Sequence, residues 1–127
     1  MSDASLGERE LDVMSVLWEM KSGTVEEVRR RLPTELAYTT VLTILRNLEA
    51  KGFVTHEEEG RAHRYAPRVA QRAAQRNAVA RMVEKFFGGS PEALLARLVD
   101  DDHLSADDLR RLARDAAGRT KKKKGDR

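Results

Sequence analysis

The 127-residue chain contains no cysteine. A disulfide framework and a thiolate metal site are therefore both excluded. Aromatic residues make up 5% of the composition against 40% hydrophobic residues in all, so aliphatic side chains must fill the core. No apolar stretch approaches the ~20 residues of a membrane span. Met1 to Glu10 lacks the apolar core of a signal peptide, which makes the cytoplasm the expected location. A nucleophile–base set, a phosphate-cradling glycine loop and a metal-ligand cluster are all missing from the pattern, so neither an enzyme nor a cofactor is expected.

The net charge of +3 is misleading as a sign of nucleic-acid binding. Residues 1–68 hold ten Lys/Arg against twelve Asp/Glu, whereas residues 119–127 hold six Lys/Arg against one Asp. The terminal run Lys121–Lys124 thus carries the excess, and any DNA site must come from local clustering. The run reads as a disordered tail, serving either salt-sensitive DNA attraction or plain solubility.

Helical signals dominate. Leu11, Met14, Leu17 and Trp18 recur at helical spacing in a first helix that starts near Leu6 to Glu8 and ends at Ser22-Gly23. Thr24-Val25-Glu26-Glu27 matches a capping box, opening a short helix with Val25, Val28 and Leu32 that Pro33 stops. A third helix runs from Thr39 to Lys51, with Gly52 as C-cap. Two β-prone runs, Phe53 to Glu57 and Ala62 to Ala66, flank a turn at Glu58-Glu59-Gly60-Arg61, and Pro67 closes the unit. Three further helices follow: one with Val79, Met82, Val83 and Phe86, one after Ser90-Pro91, and one after Ser105-Ala106-Asp107-Asp108. Three helices and a hairpin describe a winged helix. The expected fold is mainly α with a small β-hairpin: a winged helix-turn-helix over 1–67, a helical region over 68–118 and a basic tail over 119–127.

On a helical wheel, Val41, Ile44, Leu45 and Leu48 define the buried face of the third helix. Thr39, Thr43, Arg46 and Asn47 point the other way, with Thr40 at the edge. A generic solvated face would carry Glu and Lys; this one has no acid in its first two turns. Threonine hydroxyls can bond phosphates or base edges, threonine methyls can meet the thymine methyl, and Arg46 can fork onto guanine or phosphate. The plainer alternative is an ordinary threonine-rich surface. Lys51 is placed at the phosphates.

In the hairpin, Arg61, His63 and Arg64 form a second candidate contact, while Glu57, Glu58 and Glu59 offer ion-pair partners that would leave a solvated edge instead. His56 and His63 face each other but are too few for a closed zinc site. His103 beside Asp100, Asp101 and Asp102 reads as a solvated helix end.

The run Leu36 to Leu48, with Tyr38-Thr39-Thr40-Val41-Leu42-Thr43-Ile44-Leu45-Arg46-Asn47 at its centre, resembles the recognition-helix signature of the penicillinase-repressor (BlaI/MecI/CopY) family. Lys51-Gly52-Phe53-Val54, the wing Gly60 to Pro67, Glu10 to Trp18, Phe86 to Pro91 and Leu104-Ser105 resemble other landmarks of that family, from about residue 6 to 117. The resemblance implies a repressor that binds double-stranded palindromic operators as a homodimer. Val79, Met82, Val83, Phe86, Leu94, Leu95, Leu98, Leu109 and Leu112 would then form the dimer face, since these stripes are too thin to make a core in one chain. In the β-lactam branch a membrane sensor triggers proteolysis at an Asn-Phe bond; the corresponding position here is Arg97-Leu98, so a sensor protease is not implied by sequence. The copper branch uses paired cysteines that this chain lacks. A winged-helix protein-interaction module without an operator is the competing reading.

Overall fold

The computed structural model describes the backbone of residues 6–125 and the side chains of residues 6–119. Helix α1 (Glu8–Met20) is followed by a two-residue strand β1 (Gly23–Thr24), helix α2 (Val25–Arg31) and helix α3 (Tyr38–Ala50). A hairpin of β2 (Val54–Glu59) and β3 (Ala62–Pro67) then leads to α4 (Gln71–Phe86), α5 (Pro91–Asp100) and α6 (Ala106–Gly125). The chain divides into two compact units, one ending at Ala78 and one beginning at Val79, so the division falls inside α4.

The local signals work as their chemistry requires. The Thr24 hydroxyl accepts the Glu27 N–H at 3.2 Å while the Glu27 carboxylate accepts the Thr24 N–H at 3.1 Å, completing the capping box. Ser90 accepts the Ala93 N–H at 3.1 Å, and Ser105 and Asp108 exchange hydrogen bonds at 3.0 and 2.9 Å. At the end of α3 the Gly52 N–H reaches the Glu49 carbonyl and the Phe53 N–H reaches the Leu48 carbonyl, a full Schellman pair. Gly52 adopts φ +87°, a conformation that side chains other than glycine's resist. Phe53 then packs, partly buried, on the core.

The first unit holds the core. Val13, Met14, Val16 and Leu17 of α1, Val25 and Val28 of α2, Val41, Leu45 and Leu48 of α3, Val54 of β2 and Tyr65 of β3 are all buried. Two details differ from the wheel reading. Leu11 is exposed, because the α1 face that meets α2, α3 and β3 carries Val13 and Val16 beside Met14 and Leu17, and Leu11 falls outside that arc. Ile44 is only half-buried, at the edge of the α3 face.

The sheet has the order β1-β3-β2 and is antiparallel throughout. Gly23 faces Tyr65 and Thr24 faces Arg64, so the residues that end α1 and cap α2 also add a strand to the wing. The hairpin turn is tighter than expected. Glu58 and Glu59 belong to β2, paired with His63 and Ala62, and the connection is Gly60-Arg61 alone, with Gly60 at φ +61° as a two-residue turn with glycine first requires.

In the second unit α5 and α6 bury no described side chain completely. Helix α6 continues past Gly118 to Gly125, through the lysine run that composition assigned to a disordered tail. One glycine costs a helix only about 1 kcal/mol, and lysine is a good helix former, so a helix can propagate across it. No helix among the described residues is long and apolar enough to cross a membrane.

Candidate nucleic-acid interface

Helix α3 presents Thr39, Thr40, Thr43, Arg46 and Asn47 to solvent, all five exposed. None of these side chains makes a hydrogen bond or ion pair with another described residue. Tyr38, at the first position of α3, is exposed as well. The N-cap residue Ala37 has no side chain able to cap, and the first turn contains no acid. A helix start with no side-chain cap and no acid leaves the positive pole of the helix available, an arrangement that suits a phosphate.

The single acid of α3, Glu49, is committed elsewhere. Its two carboxylate oxygens each lie 2.8 Å from Nδ1 of His56 on β2. The β2–β3 register sets His56 opposite Tyr65 and His63 opposite Glu58. The two imidazoles nevertheless stack diagonally, with centroids 4.4 Å apart and planes 15° from parallel. Glu49, His56 and His63 thereby join the hairpin to α3. Burial pushes the Tyr65 hydroxyl up from its ordinary value, and the nearby Glu49 charge adds to that. Among the described residues no group of three His, Cys, Asp or Glu side chains is arranged to hold a metal ion.

The basic residues fall into two sets. Arg46 and Arg61 are exposed and form no ion pair with a described residue. Lys51 and Arg64 are tied down. Lys51 Nζ lies 2.8 Å from Glu10 Oε1, which also accepts the Gly7 N–H at 2.9 Å. Burial alone would raise the Glu10 carboxyl, but the Lys51 and Gly7 hydrogen bonds outweigh it and hold the group below its ordinary value. Arg64 donates to Glu59 at 2.8 and 3.1 Å, to Glu27 at 3.1 and 3.3 Å and to Ser22 at 3.4 Å. Its guanidinium spans the wing, the start of α2 and the residue before β1. His63 is half-buried in the histidine stack. Of Lys51, Arg61, His63 and Arg64, Arg61 alone stands uncommitted among the described residues.

The Arg64 clamp makes the wing sensitive to acid. The Glu59 carboxyl is held below its ordinary 4.5 by the Arg64 hydrogen bonds, and the Glu27 carboxyl by the Thr24 N–H and then by Arg64. Because both are depressed in the folded chain, their stabilisation is complete above the unfolded carboxylate value and is lost as pH falls through the folded values. In α2, Glu26 is lowered to about 2 by hydrogen bonds from Arg29 and then Arg30, and follows the same sign. Amides of Glu57 to Arg64 should therefore lose protection, after correction for intrinsic exchange, as pH drops below about 4. Amides of Val41 to Leu48 should keep theirs over the same range. Undiminished wing protection at pH ~3 would show that the clamp does not order the wing.

At the end of α5, the His103 and Leu104 N–H groups return to the Leu98 carbonyl and Asp101 lies 3.7 Å from Arg97, an ordinary helix terminus. Sequence reasoning missed three ties. The Arg64–Glu27 pair joins residues 37 apart, the Trp18 indole donates to the Val69 carbonyl 51 residues away, and Glu49–His56 joins helix to strand. No local pattern marks any of them. Tyr38 could have been found, as a rare aromatic beside the threonines of an outward helix start.

The family model described as penicillinase repressor matches residues 6–117. The penicillinase repressor of Bacillus licheniformis is 26% identical over 109 residues, which is 84% of this chain and 85% of that protein. The transcriptional regulator BlaI of Mycobacterium tuberculosis is 45% identical over 65 residues, 49% of this chain and 47% of that one. Among solved structures, the DNA-binding domain of the repressor BlaI matches with TM-score 0.50 and 31% identity, covering 56% of this chain and 90% of that domain.

Proposed function

The chain belongs to the penicillinase repressor family, and on that premise we propose that it silences promoters by gripping a palindromic operator as a homodimer. The observation that carries the reading is the outward side of α3: five polar side chains, free of acid, exposed and in no hydrogen bond or ion pair with a described residue. Buried in the major groove, Thr39, Thr40, Thr43, Arg46 and Asn47 would read base edges while the uncapped helix start and Arg61 hold phosphates. Lys51 and Arg64 act mainly by fixing the frame, and each would have to leave a carboxylate to reach DNA. The protein works in the cytoplasm, by binding rather than by catalysis.

The homodimer rests on the second unit. Val79, Met82, Phe86, Leu95 and Leu112 are large apolar side chains left exposed, Phe86 at 79%. Val83, Leu94, Leu98 and Leu109 are half-buried, and no described residue beyond Tyr65 is fully buried. A groove between α5 and α6 lined by Glu92, Leu95, Ala96, Val99, Asp100 and Leu109 belongs to the same uncovered surface. Helices this short of internal core gain stability by burying their stripes against a second copy, and an isologous contact then sets two recognition helices one helical turn of DNA apart, roughly 34 Å, or a multiple of it.

Phe86→Asp is expected to turn a dimer into a monomer in sedimentation equilibrium and to abolish the footprint on an inverted repeat drawn from genomic DNA. A folded variant that stays dimeric and protects the same repeat would overturn the assignment of the dimer face. A native protein that shifts no duplex even at low salt would overturn the repressor reading itself.

A further inference from the structure

The chain leaves the winged helix along a pinned path. Pro67 pairs with Val54 at the end of the hairpin. The Arg68 N–H donates to the Phe53 carbonyl at 2.8 Å. The Val69 carbonyl accepts the Trp18 indole N–H at 2.9 Å. Helix α4 begins at once, with the Ala74 N–H on the Ala70 carbonyl at 3.1 Å. Three consecutive residues are thus anchored, Pro67 and Arg68 to the start of β2 and the residue before it and Val69 to α1, immediately before a helix that carries the chain onward.

The start of α4 has little else to hold it. Of its residues up to Ala78, which belong to the first unit, only Ala73 and Ala74 are not exposed, and the helix buries no side chain. Two alanine methyls give a thin contact, so packing alone does little to hold the start of α4. Trp18 is the one tryptophan of the chain. Its ring packs on the core of the first unit while its N–H reaches the linker.

We propose that Trp18 is a positioning residue for operator binding: its hydrogen bond to Val69 fixes the exit of α4 from the winged helix and so sets the separation of half-sites that a dimer accepts. The inference rests on the dimeric operator reading above. A pinned exit makes the second half-site an intramolecular target at one distance and one angular phase. A loose exit spreads the same pair of domains over many distances and phases, lowering the effective concentration at the right one and raising it at wrong ones. Each base pair added between half-sites turns one against the other by roughly 34° and moves it by about 3.4 Å, so spacing reports this geometry directly.

The test uses the full chain and an inverted repeat that the native protein selects from a randomised duplex pool, the same repeat with two base pairs inserted at its centre, and a single half-site. Native protein should disfavour the lengthened repeat by at least about 10-fold. Trp18→Phe keeps a ring in the core and removes only the donor. It should stay dimeric, bind the half-site as native does, and disfavour the lengthened repeat by less than about 3-fold. Two glycines inserted between Ala70 and Gln71, with Trp18 intact, should relax spacing in the same way. This variant also guards against a Trp18→Phe chain that folds poorly. A purely structural role would lower melting temperature without changing the spacing ratio.

Trp18→Phe with native spacing discrimination overturns the proposal, most plainly if the glycine insertion has relaxed it. If neither variant relaxes spacing, the exit path has no part in half-site choice. If the native protein binds the half-site and both repeats with no spacing preference, Trp18 has nothing to position and the proposal fails while DNA binding stands. If the native protein selects no repeat at all, the operator reading falls first and takes this inference with it.

Discussion

Arg46→Ala should cost the dimer at least ~30-fold in operator affinity while leaving the fold untouched. A bidentate arginine–guanine contact supplies about 1–3 kcal/mol of discrimination, and a two-fold complex makes the contact twice, which puts the combined loss at or above about 2 kcal/mol. Arg46 is exposed and makes no ion pair with a described residue, so its removal leaves no orphaned partner in the free protein. Surface changes of that kind usually stay within about 0.5 kcal/mol of native stability. The measurement is a pair of titrations, on the selected repeat and on a scrambled duplex, with a melting curve beside them. Specific binding should collapse towards non-specific binding. Equal losses on both duplexes would place Arg46 at the phosphates instead, with a shallower salt dependence as the sign.

One residue earlier the expected result inverts. Leu45 is completely buried on the opposite side of the same helix. Leu45→Ala should destabilise the first unit by about 2–5 kcal/mol, because the lost transfer free energy is joined by the cost of the cavity left behind. A small domain has roughly 5–15 kcal/mol in all, and each kilocalorie lowers the midpoint of a 60–100-residue domain by about 4–8 °C. The melting temperature should therefore drop by roughly 10 °C or more, and DNA binding should be lost only in proportion to the unfolded fraction. A stable Leu45→Ala protein that no longer binds would mean that the two faces of α3 have been assigned the wrong way round.

Helix geometry is what lets these neighbours be told apart from the letters alone. A period of 3.6 residues puts Val41, Leu45 and Leu48 on one side and Thr39, Thr43, Arg46 and Asn47 on the other, and burial follows that division. The caps are legible for a related reason. Thr24 with Glu27, Ser90 with Ala93 and Ser105 with Asp108 satisfy backbone N–H groups within three residues, so their chemistry is local and visible in the sequence. The second unit is legible as apolar stripes, Val79 to Phe86 and Leu94 to Leu98 among them. The second copy proposed to cover them is a matter of assembly, which one chain does not spell out.

The rest depends on residues far apart in sequence. Strand β1 is two residues long, too short for any alternation, and exists because Gly23 and Thr24 meet Tyr65 and Arg64. Leu11 reads as core because its spacing to Met14 and Leu17 is helical. The helix turns Val13 and Val16 inward instead, since neighbours on two sides widen and rotate the buried arc. Arg64 reads as a DNA contact by type and place, yet the sequence also supplies the acids that occupy it. Glu59 is visible as a hairpin partner, while Glu27 lies 37 residues away and comes within reach only when β1 joins the sheet. Trp18 reads simply as core, and its outer edge holds the linker.

The most direct test of the account is a resonance map of the labelled full chain titrated with the selected repeat. The largest shifts should fall on Thr39, Thr40, Thr43, Arg46 and Asn47, with a second, smaller set at Arg61, and with α5 and α6 quiet. Shifts gathered on Leu94 to Leu112, or a spectrum that duplex DNA leaves unchanged at low salt, would contradict it.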